Sequence, residues 1–270
     1  MDTTVEEKTG GEMAGNPLEP YIEYLRQELE NQDPVYIIGA VVAFAVVLIT
    51  FVFLKYFLTS KTVRSAVLLV GLCDSGKTLL FSRLLSGKYK RTQTSITDSS
   101  APYRAKNDRG TTWTLIDLPG HDSLRAQYME KFKSAARAIV FVVDSALFQK
   151  EVRDVAEFLY FLLTDIVISR NAPALLVACN KQDITMAKSA KLIQQQLEKE
   201  LNTLRVTRSA ALSSQDGSVG GSVHLGKKGK DFEFSQLPMK VEFLECSARG
   251  SKGDEGDADM ESLEKSLAKL

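Results

Sequence analysis

The chain has 270 residues, 44% of them hydrophobic, and its 34 basic side chains balance 34 acidic ones. Such a length exceeds one typical domain without reaching two large ones. The charge balance argues against a surface built for polyanions, so no direct sequence-specific nucleic acid binding is expected.

Residues 1–17, with their Gly, Thr and Glu, read as disordered. Leu18 to Glu30 carries Tyr21, Leu25 and Leu29 at i, i+4 and i+8, the pattern of a small amphipathic helix leading into the next segment. Val35 to Leu54 contains no charged side chain, and fourteen of its twenty residues are Val, Ile, Leu or Phe. Twenty residues rising about 1.5 Å each reach about 30 Å, the thickness of a bilayer's hydrocarbon core. A buried core helix is rarely apolar on every face for five turns. A cleaved signal peptide would start earlier, follow a basic region and be shorter. One transmembrane helix is therefore expected over 35–54. Only Lys8 and Arg26 are basic before it, against nine acids, whereas Lys55, Lys61 and Arg64 follow it. That bias places 1–34 beyond the membrane, makes 55–64 a basic linker, and leaves 65–270 in the cytosol. Cys73, Cys179 and Cys246 lie far apart in strand-like or loop-like surroundings, as expected of reduced cytosolic thiols rather than a disulfide framework or zinc site.

From Ser65 onward, short β-rich apolar runs alternate with helical stretches. The runs are 66–71, 113–117, 138–144, 174–180 and 241–247, and their nearly continuous Val/Ile/Leu character marks strands covered on both faces. A segment at 103–107, followed by a turn-like Asn107-Asp108-Arg109-Gly110, is expected to pair antiparallel with 113–117 as an edge hairpin. Helical patterns fall at 78–86, about 123–136, 150–168, 186–204 and 259–269. The fold class is thus α/β, a doubly wound and mostly parallel sheet preceded by one transmembrane helix. Residues 208–237, rich in Ser, Gly and Lys, read as a flexible insertion, with a short strand at 232–234 and His224 a bystander.

Gly71 to Thr78, GLCDSGKT, matches G-x-x-x-x-G-K-[ST] and sits between a strand and a helix, the context of a P-loop. Its glycines let the backbone of Gly71, Leu72, Cys73, Asp74, Ser75, Gly76 and the following Leu79 turn wrap phosphates. Lys77 would reach the β- and γ-phosphates, and the Thr78 hydroxyl would hold Mg²⁺. Asn180-Lys181-Gln182-Asp183 ends an apolar strand, where open α/β sheets place ligands. Asp183 can accept from guanine N1–H and the 2-amino group, which adenine does not present. Charge-assisted bonds of this kind are worth roughly 1.5–3 kcal/mol each. Lys181 would lie along the base and Asn180 would brace the loops. Ser247 and Ala248, ending the last strand, supply the matching loop, with the Ala248 N–H free for guanine O6. Asp117 to Gly120, DLPG, ends the 113–117 strand. Asp117 can hold Mg²⁺ through water, and the Gly120 N–H can sense a γ-phosphate.

GLCDSGKT, DLPG, NKQD and CSA stand in the order and spacing of the small GTPases, nearest the Arf/Sar branch. With TQTSITDS at 92–99, DLPGH at 117–121, the insertion and the N-terminal span, the whole chain resembles the family of signal recognition particle receptor beta subunits. The resemblance implies GTP or GDP with Mg²⁺ as ligands and a single-pass endoplasmic reticulum location, residues 1–34 being lumenal. It implies a cytosolic domain that holds the N-terminal domain of a peripheral alpha subunit near the ribosome and translocation channel, for co-translational targeting. A membrane-tethered Arf/Sar-like trafficking GTPase and a constitutive anchor with structural nucleotide are the alternatives. A permanent span disfavours the trafficking reading, because a recycling coat GTPase needs reversible attachment.

Two positions depart from the small-GTPase pattern. His121 replaces the usual glutamine after Gly120, so it is the candidate for positioning water, and hydrolysis is expected to be slow or partner-dependent. In the first switch, Thr92, Gln93, Thr94 and Ser95 are expected to contact nucleotide, while Thr92, Thr94 and Thr97 compete as the magnesium ligand. Arg109 and Arg125 read as exposed arginines rather than catalytic fingers, and Phe158, Tyr160 and Phe161 as helix core. Trp113, among Thr111, Thr112 and Thr114, is either a surface anchor for a partner or ordinary packing.

The base assignment carries its own test. Asp183→Asn is expected to weaken GTP binding tenfold or more, by roughly 1.4 kcal/mol at least, and to shift preference toward xanthosine triphosphate. Equal calorimetric GTP affinity in both proteins would sink the guanine reading.

Overall fold

A computed structural model describes residues 34–58, 64–105, 110–212, 223–227, 229–250 and 256–270. The chain divides into two units, Met1–Lys61 and Thr62–Leu270.

In the first unit, α1 spans Pro34–Leu58, 25 residues. Pro34 opens it, where a missing N–H costs nothing. Side chains 42–53 are all exposed, and Thr50 returns its hydroxyl to the Val46 carbonyl at 2.8 Å, so even that polar group is satisfied within the helix. Among the described residues no helix is long and apolar enough to cross a membrane. The longest unbroken stretch of described side chains in α1 is 42–53. The expected amphipathic helix at 18–30 and the 1–17 segment lie outside the described residues.

The second unit is a six-stranded sheet in the order β2-β3-β1-β4-β5-β6. Its strands are β1 (Ala66–Val70), β2 (Ser99–Arg104), β3 (Thr112–Asp117), β4 (Ala136–Asp144), β5 (Ala174–Asn180) and β6 (Val241–Glu245). All neighbours are parallel except β2 and β3, which pair antiparallel with Tyr103 opposite Trp113. The edge hairpin is as expected, but β2 begins four residues before 103. Pro102 and its serines hide the strand in the sequence; at an edge, the missing proline donor breaks no ladder bond.

Alternation along β1 builds two cores. Leu68 and Val70 face one side of the sheet, packed with α3 (Asp122–Phe132), α4 (Phe148–Thr164), α5 (Ile166–Asn171) and α6 (Ala190–Leu212). Val67 and Leu69 face the other, covered by α2 (Lys77–Ser86) and α7 (Glu261–Ala268). In α4 the buried residues Val155, Phe158, Leu159, Leu162 and Leu163 form one apolar stripe. The single helix expected over 150–168 is divided at Asp165. Its carboxylate accepts from the Val167 and Ile168 N–H groups at 2.8 and 3.0 Å, starting α5 afresh.

Parts of the insertion are built into the fold. Residues 208–212 continue α6, and Leu225, Phe232 and Phe234 are buried in the larger core. Phe234 opens a 3-10 turn, Phe234–Gln236, instead of the expected strand, and stacks edge-on against Phe232 and Phe243. Residues 213–222 lie outside the description. His224 is exposed beside the Gly226 carbonyl, with no role in the site below.

Because Phe234 is core, Phe234→Ala is expected to destabilise residues 62–270 by about 3–5 kcal/mol in urea unfolding. A loss within about 0.5 kcal/mol, the range of surface substitutions, would return this segment to the solvent.

Candidate functional site

The P-loop leaves β1 at Gly71 and enters α2 at Lys77. Gly71, Asp74 and Gly76 all have positive φ, and a Cβ on Gly76 would lie 2.4 Å from Asn180 Nδ2. Glycine is therefore required there by space as well as by torsion. The loop and the 92–95 segment enclose a cleft of about 250 Å³ lined by Cys73, Asp74, Gly76, Lys77, Thr78, Leu79, Thr92, Gln93, Thr94, Ser95 and Gly120. Gly71, Leu72 and Ser75 are not among the lining residues; Ser75 Oγ donates to the Leu72 carbonyl at 2.9 Å. Lys77 is buried and donates to the same carbonyl at 2.6 Å. Burial lowers its ammonium below the usual lysine value, opposed by the Asp117 charge.

Asp117, at the end of β3, is fully buried. Its Oδ2 accepts from the Thr78 hydroxyl at 2.7 Å and the Ser95 hydroxyl at 3.3 Å, and those hydroxyls are 2.9 Å apart. Asp117 Oδ1 is buried with no hydrogen-bond partner in the structure. Burial raises the Asp117 carboxyl, partly offset by the Thr78 bond and Lys77. One orphaned carboxylate oxygen beside two hydroxyls is a donor set suited to a hard cation that keeps waters and phosphate oxygens as its other ligands. Among the described residues there is no cluster of three or more His, Cys, Asp or Glu able to hold a metal unaided. The first-switch hydroxyl beside Asp117 belongs to Ser95, not to Thr92, Thr94 or Thr97.

At the other end of the site, Asn180 is buried where β5 stops. Its Nδ2 donates to the Ser75 carbonyl at 2.9 Å, and its Oδ1 accepts from the Ala248 N–H at 3.0 Å. The Ala248 N–H is thus engaged, not free as the sequence suggests. Lys181, at positive φ, is held by Asp144 at 2.6 Å. Asp144 also accepts from the Ala146 and Leu147 N–H groups, so one carboxylate fixes both the lysine and the turn beneath it. Ser247 Oγ donates to Asp183 Oδ1 at 2.5 Å and accepts from the Gly250 N–H at 2.9 Å. Sequence reasoning missed Asp144, although an acid closing β4, as Asp117 closes β3, was a visible signal. It also missed Arg83, which α2 carries into the base loop.

His121 does not line the cleft. It is exposed and caps α3, its Nδ1 2.9 Å from Ser123 Oγ. Arg125 pairs with Asp122 and lies over the Phe158 ring at 4.7 Å, a packing role; Arg109 is outside the described residues. Phe158 is core, Tyr160 half-buried and Phe161 exposed. Trp113 is half-buried against the smaller core with Arg137 over its ring, so packing accounts for much of its surface. The three cysteines are free, and burial raises Cys246 to about 12.

Fold and site together are those of a small GTPase. The family model for the signal recognition particle receptor beta subunit matches residues 62–241. The chain is 65% identical over 260 residues to signal recognition particle receptor subunit beta of Rattus norvegicus, covering 96% of each. It is 65% identical over 257 residues to the Homo sapiens subunit, 95% of this chain and 94% of that one. A solved structure of the mammalian signal recognition particle receptor is 67% identical, with TM-score 0.66 over 76% of this chain and 98% of that one. The receptor subunit SRb-GDP-Mg from Chaetomium thermophilum is 26% identical, with TM-score 0.57 over 78% and 99%. The chain belongs to the family of signal recognition particle receptor beta subunits. It is a GTP-binding subunit of that receptor and serves protein targeting.

Burial of Asp117 leads to a testable asymmetry. With its carboxyl raised, the nucleotide-free fold binds that proton more tightly than the unfolded chain, so stability rises as pH falls through the folded value toward the unfolded one. Asp117→Asn is expected to flatten that slope, raise the neutral-pH melting midpoint of nucleotide-free protein, and leave nucleotide affinity insensitive to Mg²⁺. A lowered midpoint with Mg²⁺ dependence intact would refute this account.

Proposed function

We propose that the chain is fixed in the endoplasmic reticulum membrane by a single span within α1, its C-terminal domain cytosolic. There it binds GTP or GDP with Mg²⁺ and holds the N-terminal domain of the receptor's alpha subunit according to nucleotide state. The span rests on the uncharged run Val35–Leu54 and the basic bias after it. Thr78 and Asp117 would hold Mg²⁺, with Ser95 beside them, and the ion would neutralise phosphate charge. That Mg²⁺ accompanies the nucleotide is supported by the relative described as SRb-GDP-Mg from Chaetomium thermophilum.

The observation that carries the switch is the crowding around Gly120. A Cβ there would lie 2.7 Å from Lys77 Nζ and 2.8 Å from the Cys73 nitrogen, the groups placed to meet phosphate. A third phosphate must therefore share space with the 119–121 loop, while the Thr92–Ser95 hydroxyls and N–H groups gain contacts. Two segments rearranged by one phosphate give a surface that differs between states, and a partner contacting it must distinguish them. His121, next along, would orient water once that loop moves. P-loop amides and Lys77 bind and orient the phosphates; Asp183, Lys181 and Asn180 do the same for the base.

Residues 62–270 are expected to bind the alpha subunit's N-terminal domain in solution when loaded with GTP, and at least tenfold more weakly, about 1.4 kcal/mol, with GDP or empty. Comparable affinity in all three states would leave a constitutive anchor, and loss of binding on removing α1 alone would put the interface in the membrane. In the complex, His121→Ala should slow single-turnover hydrolysis without changing GTP affinity; an unchanged rate would reduce His121 to the α3 cap.

A further inference from the structure

We propose that Arg83 is a positioning residue for guanine recognition, joining the phosphate-binding helix to the loop that reads the base; this rests on the nucleotide reading above. Arg83 lies on α2, six residues after Lys77, and is only 4% exposed. Its Nε donates to the Ala248 carbonyl at 3.0 Å, its Nη2 to Arg249 at 3.3 Å and Gly256 at 2.7 Å, and its Nη1 to Gly87 at 3.0 Å. Among the described residues, these side-chain hydrogen bonds all go to backbone carbonyls. The Tyr89 ring covers one face of the guanidinium at 5.7 Å.

Buried arginines are ordinarily paired with carboxylates, because an uncompensated charge in the interior is costly. A guanidinium given four carbonyls instead satisfies its fork of donors while fixing the backbone that carries them. Three of those carbonyls belong to the segment following Ser247. That segment is held on its other side by Ser247 and Asp259, whose backbones exchange hydrogen bonds at 2.8 and 2.9 Å. Between the two anchors lie the contacts that aim the base reader. The Gly250 N–H donates to Ser247 Oγ, and Ser247 Oγ donates to Asp183 Oδ1. If the Ala248 and Arg249 carbonyls lose Arg83, Ser247 loses its fixed donor geometry, and the Asp183 carboxylate loses the bond that orients it. Lysine, with one ammonium in place of a planar fork, cannot hold three separated carbonyls at once.

A purely structural arginine would, when removed, lower affinity for every nucleotide alike. The test therefore compares ligands. In the full-length chain in detergent, dissociation constants would be measured for GDP, for inosine diphosphate, which lacks the 2-amino group that Asp183 accepts from, and for tripolyphosphate, which has no base. Arg83→Met and Arg83→Lys are both expected to weaken GDP binding about tenfold, the scale of one misdirected charge-assisted bond. The GDP preference over inosine diphosphate should shrink several-fold, with tripolyphosphate affinity unchanged. Should the methionine variant fail to fold, the lysine variant, which keeps the charge, decides the matter. An unchanged preference, or parallel losses for all three ligands, would overturn the proposal while leaving guanine recognition intact. A wild-type chain indifferent to the base would instead overturn the guanine reading, and this proposal with it.

Discussion

The site depends on the buried amide of Asn180. One carboxamide, 1% exposed, donates to the P-loop at Ser75 and accepts from the base loop at Ala248. It thereby ties together loops leaving β1, β5 and β6, three strands of one sheet. Neither the Gly71–Gly76 loop nor the loop after β6 can shift independently while both bonds hold. The constraint reaches further: with the amide in place, Gly76 has no room for a Cβ, so the choice of asparagine in one loop dictates glycine in another. An aspartate there would accept but not donate, leaving the Ser75 carbonyl buried without its partner.

A second tension runs through the phosphate end. Lys77 and Asp117 are both buried, and burial drives each toward its neutral form. Their mutual attraction offsets this only in part, and Asp117 keeps one oxygen unsatisfied. Such a pair is poorly served by the empty protein and well served by a phosphate chain with its cation. Binding ligand to the folded form alone then stabilises it by mass action. The same buried charges therefore weaken the fold, as expected where a site's requirements conflict with those of the core.

Most of this architecture is legible in the sequence, because its signals are local. Continuous apolar runs gave β1, β4 and β5; the P-loop and NKQD motifs sit at strand ends, and the structure draws them together. What escaped notice depends on partners distant in sequence. Nothing near Arg83 reveals that it meets carbonyls 165 to 173 positions away. The division at Asp165 is invisible to apolar periodicity, which continues through it. Composition hides that Leu225, Phe232 and Phe234, scattered among the serines and glycines of 208–237, go into the core. Ser95, the first-switch hydroxyl beside Asp117, was overlooked because three threonines nearby fit the family's pattern better.

The placement of α7 bears on how the domain is made. Leu263 and Leu267 close the same core face that Val67 and Leu69 open, nearly the whole length of the domain earlier. Between the two, β6 must join β5, and parallel pairing pays loop closure before it gains contacts. While the chain is being synthesised, that face of the sheet carries only α2 until residues beyond 260 have emerged. The apolar bed awaiting α7 is uncovered until then, and transiently exposed apolar surface of this kind invites association with other chains. Until α7 has emerged, a nascent domain of this architecture keeps one face of its sheet open, however complete the core on the other face.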